Sequence, residues 1–260
     1  MNKIFKGILI KTLGKKKYYK KWRRLYYWSI KGMNYGNGGG VVSSGECNVF
    51  IELEKRQQQK YVIFDVGANV GSYSLECLDK FGTKAEIHAF EPSRVTYKKL
   101  IEHVTSDNII CNNFGLSDKE GTQILFSDKE ESGLASLYQR KVLNVSFENQ
   151  EKVTLDTLDH YCKNKNITWI DLLKIDIEGN EINALKGAEG MLSQKQIGMI
   201  QFEFGGCNID SRTFFRDFWY MLHENYKLFI ILEDGFAEID GYDAELEVFQ
   251  CINYLAILKR

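Results

Sequence analysis

Lys174, Asp176 and Glu178 alternate with Leu173, Ile175 and Ile177 in the run LLKIDIEG. In an extended chain that spacing puts the three ionisable groups on one side. Charges in a buried strand are costly unless they pair or do chemistry. One reading is an ion pair, Lys174–Asp176 or Lys174–Glu178, closing a strand end. The other makes Asp176 a general base or the group that orients an acceptor, with Glu178 and Glu203 (in QFEF) next and Lys174 beside them. Asp176, Glu178 and Glu203 also offer the oxygen donors that Mg²⁺ or Ca²⁺ takes, but without a spacing signature. No metal is therefore expected.

A second group lies upstream, in DVGANVG: Asp65, Gly67, Asn69 and Gly71. A turn this tight needs glycine for positive φ or close backbone approach. Glu91 follows 20 residues past Gly71, where a carboxylate can accept both ribose hydroxyls. Together they point to a nucleoside, against the alternative of an ordinary strand–helix turn and a surface acid. A dinucleotide fingerprint wants glycine at relative positions 1, 3 and 6. Here Asn69 takes position 3 and Gly71 falls at 5, a poor fit to pyrophosphate. S-adenosylmethionine has no phosphate, and a polar side chain and an acid beside the glycines suit it better. His88, His103, His160 and His223 read as structural. In the stretch 129–140, Ser132, Ser136, Tyr138 and Arg140 either contact an acceptor or belong to a solvated loop.

The elements that must hold these groups alternate. Apolar runs at 61–66, 86–90, 108–114, 169–177, 198–204 and 227–232 read as strands. Helices are expected over 71–81, 92–104 (with Pro92 in its first turn), 180–193 and 211–224. Residues 115–148 read as a polar hairpin and loop, and 152–162 as a strand entering a helix capped near Thr154 or Asp156. A last strand is expected in 248–258 with no helix before it, which gives a mostly parallel sheet with an antiparallel end. Ligands of such sheets bind at the carboxyl ends of the strands.

DVGANVGSYS, HAFEPS, LLKIDIEGNEINALKGAEGML and IQFEF, in that order, resemble the FkbM-type family of S-adenosylmethionine-dependent methyltransferases. The resemblance covers about residues 60–225, and the lead-in GMNYGNGG…SSGE is similar to members found with glycan biosynthesis. It implies a Rossmann-like class I methyltransferase fold, α/β, with a seven-stranded mostly parallel sheet, an antiparallel last strand and helices on both faces. It implies methyl transfer to a hydroxyl, often of a sugar, with S-adenosylmethionine as cofactor. Asp65, Gly67, Asn69 and Gly71 would line the methionine end, and Glu91 would hold the ribose. Asn113, Gly115 and Leu116 would border adenine, and Asp176, Glu178 and Gly179 would face the sulfonium and acceptor.

The 260-residue chain has a net charge of −1, unevenly spread. Residues 1–31 hold eleven Lys/Arg and no acid, which leaves 23 of the 34 basic residues against all 35 acidic ones, about −12 for the body. A body of that sign is a poor nucleic-acid partner. The head's Ile4, Phe5, Ile8, Leu9 and Leu13 suggest a basic amphipathic helix and peripheral membrane contact through residues 1–31. No apolar run approaches the roughly 18 residues of a spanning helix. Six cysteines without metal spacing read as buried free thiols, and no secretory signal is evident, so the expected place is the cytoplasm, including the inner face of the membrane. The expected division is a basic, glycine-rich lead-in over 1–59 and a catalytic domain over 60–260. The expected partner is a sugar or nucleotide-sugar, with room for an oligomer. The competing functions are an NAD-dependent dehydrogenase and a non-catalytic scaffold on a membrane.

Overall fold

The computed structural model describes residues 11–37, 40 and 44–259. The expected helix face of Ile4, Phe5, Ile8 and Leu9 lies outside them. Nine α-helices occur among the described residues: α1 (Tyr19–Gly32), α2 (Cys47–Glu54), α3 (Ser72–Phe81), α4 (Arg94–His103), α5 (Leu158–Lys165), α6 (Glu181–Lys186), α7 (Glu189–Ser193), α8 (Cys207–Ser211) and α9 (Phe215–Leu222). The strands are β1 (Tyr61–Val66), β2 (Ala85–Phe90), β3 (Ile109–Asn112), β4 (Gly115–Leu116), β5 (Gly121–Ser127), β6 (Asn149–Asp156), β7 (Leu172–Ile175), β8 (Met199–Phe204), β9 (Tyr226–Leu232), β10 (Gly235–Ile239) and β11 (Ile252–Leu258).

The main sheet runs β10-β9-β11-β8-β7-β1-β2-β3. From β8 to β3 neighbouring strands are parallel. β11 inserts antiparallel between β8 and β9, the antiparallel end that the sequence implies. The sheet has eight strands rather than seven, because the chain turns back after β9 and pairs β10 antiparallel on its open edge. The central strands β1, β7, β8 and β11 are largely buried on both faces, so alternate residues feed two cores. Ile63 joins Val49, Phe50 and Leu53 of α2 and Tyr73, Cys77 and Phe81 of α3 on one side. Phe64 and Val66 join Leu158 and Tyr161 of α5, Leu185 of α6 and Phe215 and Phe218 of α9 on the other.

Several local expectations are corrected. Residues 115–148 are not a mere hairpin and loop: β5 pairs antiparallel with β6 across a long loop, and β4 adds a third strand to this second sheet. The first four residues of β5 are exposed, so its sequence lacks the apolar pattern of a core strand. Pro92 does not lie in the first turn of α4: the helix begins at Arg94 and Ser93 caps it, its Oγ accepting from Thr96 N. Thr157 caps α5. The helix expected over 180–193 breaks at Gly187, where a Cβ would lie 2.0 Å from the Ser117 carbonyl oxygen. The Asp159 carboxylate then starts α7 by accepting from Gly190 N (2.6 Å) and Met191 N (3.0 Å). The helix expected over 211–224 begins only at Phe215, because Arg212 turns left-handed (φ 57°). β11 begins at Ile252, so the stretch 248–251 is not part of the last strand.

Candidate active site

A cleft with about 790 Å³ of empty space opens at the carboxyl ends of β1, β2 and β7 and is roofed by the loop after β5. Its floor is set by two turns that touch. Gly67 has φ 83°, and a Cβ there would stand 1.9 Å from the Asp176 carbonyl oxygen, so only glycine lets the β1 turn meet the β7 turn. The amides of Gly67 and Ala68 both donate to the Phe90 carbonyl (3.0 and 2.9 Å), tying the same turn to β2. Asn69 is also left-handed (φ 50°), and its side-chain oxygen accepts from Val70 N at 2.7 Å.

Glu91 stands just past β2 at the cleft wall, and each of its oxygens accepts one backbone N–H: Asn69 N at 3.1 Å and Ser93 N at 2.8 Å. Each oxygen keeps a lone pair for one further donor. Burial pushes the Glu91 carboxyl up to about 7, against the pull of those two amides. Neutral hydroxyl donors placed there would favour the ionised form. Beside it, Pro92, Leu116, Leu125, Leu137 and Leu155 build an apolar wall, and Gly115 leaves a slot that a Cβ, 2.9 Å from Leu155 Cδ2, would narrow. An acceptor pair for ribose next to a flat apolar slot for a base fits an adenosine group. Asn113 does not line the slot; its amide donates to the carbonyls of Glu91 (2.9 Å) and Pro92 (3.2 Å) and fixes the turn.

The carboxylates divide into three settings. Asp176 lines the cleft with its side chain 39% exposed, 3.6 Å from Lys174 Nζ. Lys174 reaches inward to the fully buried Asp65 (3.1 Å), whose other oxygen accepts from Ser74 Oγ at 2.7 Å. Burial works against the Lys174 charge, but Asp65, Asp176 and Glu46 outweigh it and hold its pKa above the ordinary value. Lys174 thus stays an ammonium that positions Asp176, and the ion-pair reading and the site reading of this run coexist. β7 ends at Ile175, so the three charges do not share one side of a strand: Glu178 has φ 53° and turns to pair with Arg140. Burial and the Asp176 charge push Glu178 up to about 8 despite that guanidinium.

Glu203 lies behind, 8% exposed, accepting from Cys251 Sγ at 2.6 Å. Burial first, then the charges of Asp176 and Glu178, raise its pKa strongly. Ligand atoms of Glu178, Glu203 and Cys207 lie within 4.8 Å of one another, whereas Asp176 is outside that group. Gly71 lies under α4, where a Cβ would stand 2.8 Å from Leu100 and Val104, so it shapes the packing of α3 and does not face the cleft.

Several supports escaped the sequence reading. Glu181, fully buried, accepts from Ile177 N and Gly179 N (both 3.0 Å) and so braces the turn that carries Asp176 and Glu178. Asn180 lines the cleft and donates to the Leu116 carbonyl at 3.2 Å. Glu46, from the lead-in, accepts from Gln201 Nε2 at 2.6 Å, and Gln201 accepts from Tyr73 OH at 2.8 Å, a chain beneath Lys174. The SSGE run was the available signal for Glu46. The 129–140 stretch packs over the cleft: Ser132 lines it, Ser136 Oγ donates to the Glu178 carbonyl (2.7 Å), and Tyr138 and Arg140 reach Asn183 and Glu178. No histidine lines the cleft; His88 is buried between Tyr161 OH (2.8 Å) and Glu86 (3.1 Å).

The profile of the methyltransferase FkbM domain matches residues 65–229. The hexuronic acid methyltransferase AglP of Haloferax volcanii is 28% identical over 165 residues, 62% of this chain and 64% of that protein. The methyltransferase sdnD of Sordaria araneosa is 28% identical over 156 residues, 49% of this chain and 60% of that one. The chain thus spans under two thirds of the length of the curated relatives it matches. Among solved structures, the FkbM methyltransferase of Methylobacillus flagellatus KT has a TM-score of 0.46 at 16% identity, covering 75% of this chain and 44% of that one. An O-methyltransferase of Bacillus cereus in complex with SAH has a TM-score of 0.44 at 10% identity, covering 94% and 92%.

Proposed function

Since the chain belongs to the FkbM methyltransferase domain family, we propose that it is an S-adenosylmethionine-dependent methyltransferase that methylates a sugar hydroxyl, on a nucleotide-linked sugar or a surface-glycan precursor. Family membership favours a methyltransferase over the dehydrogenase and scaffold alternatives. The Haloferax volcanii relative, a hexuronic acid methyltransferase, supports a sugar acceptor. The observation that carries the reading is the cleft itself, in which Asp176 faces the same space as Glu91 and the Gly67 turn.

When bound, S-adenosylmethionine supplies a methyl carbon on a sulfonium that is already a good leaving group. The residues of this chain are left with alignment and with the proton. Glu91 fixes the ribose end and the Gly67–Asn69 turn the amino-acid end. Asp176 accepts the acceptor hydroxyl's hydrogen bond and aims its oxygen along the displacement line; alignment of this kind contributes roughly 7–11 kcal/mol. A carboxylate is far less basic than a sugar alkoxide, so the proton passes to Asp176 as the new C–O bond forms or after it. Lys174 keeps Asp176 in place. The loop carrying Ser132 and Arg140 closes the acceptor end against water.

The test is a methyl-transfer screen over nucleotide-sugars and glycan oligosaccharides, neutral and uronic, read by mass. The expected product is a methyl ether that survives mild alkali. An alkali-labile product would move the acceptor from a hydroxyl to a sugar carboxylate, and methylation of non-sugar acceptors alone would overturn the reading.

A further inference from the structure

We propose that α1 is an in-plane anchor that holds the protein on an anionic lipid surface. The helix carries Lys20, Lys21, Arg23, Arg24 and Lys31, and Lys11, Lys15, Lys16 and Lys17 precede it, with no acid among them. Tyr19, Trp22, Tyr26 and Met33 recur at helical spacing on one side with Leu25 beside them, while Lys20, Arg24 and Lys31 recur on the opposite side. Such an apolar side normally faces a core. Here only Ile30, near the carboxyl end, is buried; Tyr26 is 61% exposed and Tyr19, Leu25 and Met33 are exposed on that side, while Tyr27 and Trp28 are exposed among the cationic residues.

The occupant of this face has to take up aromatic and aliphatic side chains and also carry negative charge. A bilayer interface with anionic headgroups does both: Trp and Tyr rings settle at headgroup level, and lysines and arginines meet the surface potential. A nucleic acid answers the charge but gives Leu25 and Met33 nothing to bury in, and the acidic body repels it. No helix among the described residues is long and apolar enough to cross a membrane, so the contact is parallel to the surface.

The helix is fixed at the rim that bears the site. Ile30 and Tyr35 enter the core cluster of β8 and β11, Gly36 N donates to the Cys251 carbonyl (2.7 Å), and the Asn34 amide donates to the Ser44 and Ile231 carbonyls (3.1 and 3.0 Å). Cys251 in turn holds Glu203, behind the acceptor end of the cleft. An anchored α1 therefore brings that end to the lipid surface. Only the delivery of a lipid-borne acceptor rests on the sugar reading; the anchoring does not.

The test is flotation of the full chain with phosphatidylcholine vesicles, with and without phosphatidylglycerol, for wild type, Lys20→Glu/Lys21→Glu/Arg24→Glu and Leu25→Ser/Tyr26→Ser. Wild type is expected to float with the anionic vesicles only. Each variant should lower that partition roughly tenfold or more, and molar salt should do the same. Binding of S-adenosylhomocysteine should be unchanged in both variants, which separates loss of anchoring from loss of the fold or of the cofactor site. Absence of flotation, or flotation that neither variant weakens, overturns the proposal. Binding of a short RNA without vesicle binding would reassign the face to nucleic acid, and self-association abolished by the variants without vesicle binding would reassign it to a second copy; either result overturns the anchor.

Discussion

Asp176 and Glu91 face one cleft but answer to different tests. Asp176→Asn keeps the shape and a hydrogen-bond acceptor but loses the base and the pairing with Lys174. It should lower kcat about 10²- to 10⁴-fold while calorimetry finds S-adenosylhomocysteine bound about as well as by wild type. Unchanged turnover would remove Asp176 from the mechanism. Glu91→Gln removes a charged acceptor from the ribose position and should weaken cofactor binding by about 1.5–3 kcal/mol, with kcat at saturating cofactor much less affected. Because Glu91 sits at about 7 in the free protein and ligand hydroxyls favour its anion, wild-type affinity should rise as pH increases through that value. A flat binding profile from pH 6 to 8 would place the ribose elsewhere. Gly67, Asn69, Glu91 and Asp176 were legible as cleft-lining residues because each lies within three residues of a strand end at the cleft, and Gly115 and Leu116, which form β4, because they come soon after β3. Asp65, Gly71 and Glu203 belong to the same motifs but do not face the cleft: Asp65 and Glu203 lie inside β1 and β8, and spacing alone does not say which in-strand position opens on the cleft.

The turns are the elements with least tolerance. Gly67→Ala asks a left-handed residue to carry a Cβ 1.9 Å from the Asp176 carbonyl oxygen. The β1 and β7 turns would have to part, at a cost of about 2–4 kcal/mol from backbone strain and steric shift. Gly82→Ala is the control, also at positive φ (56°) but with nothing within 4 Å of the new Cβ. Thermal melts should show the first variant several degrees below the second, with cofactor binding lost only in the first. Equal melts would mean that the touching turns yield easily. Parallel strands and long helices were readable from apolar runs. Elements held by a single outside contact were not, as with the break at Gly187, forced by the Ser117 carbonyl, and β5, which has little apolar surface of its own.

At the scale of the molecule, several buried acids share one end of the sheet. Glu91 and Glu181 lie at about 7 and Glu178 at about 8, all above the ordinary 4.5. Between those values the folded chain holds more protons than the unfolded one, so stability falls as pH rises through the window. The raised Lys174 acts only above its ordinary 10.5 and leaves this window untouched. The melting temperature should therefore decline from about pH 5.5 to about pH 8, and S-adenosylhomocysteine should lessen the decline by favouring ionised Glu91. A melting temperature that climbs over this range would show that these acids are better solvated than their burial implies.

The insertion of β11 between β8 and β9 has a consequence for biosynthesis. The segment that leaves the ribosome after every other strand must enter the middle of the sheet. Until then β8 and β9 each present a raw edge, open to pairing with a neighbouring nascent chain. The carbonyl that receives Gly36 belongs to Cys251, one residue ahead of this closing strand. Full seating of the basic helix is thus deferred until the sheet is sealed, and a chain stalled before residue 250 would hold its leader by the Asn34 contacts, without the Cys251 carbonyl.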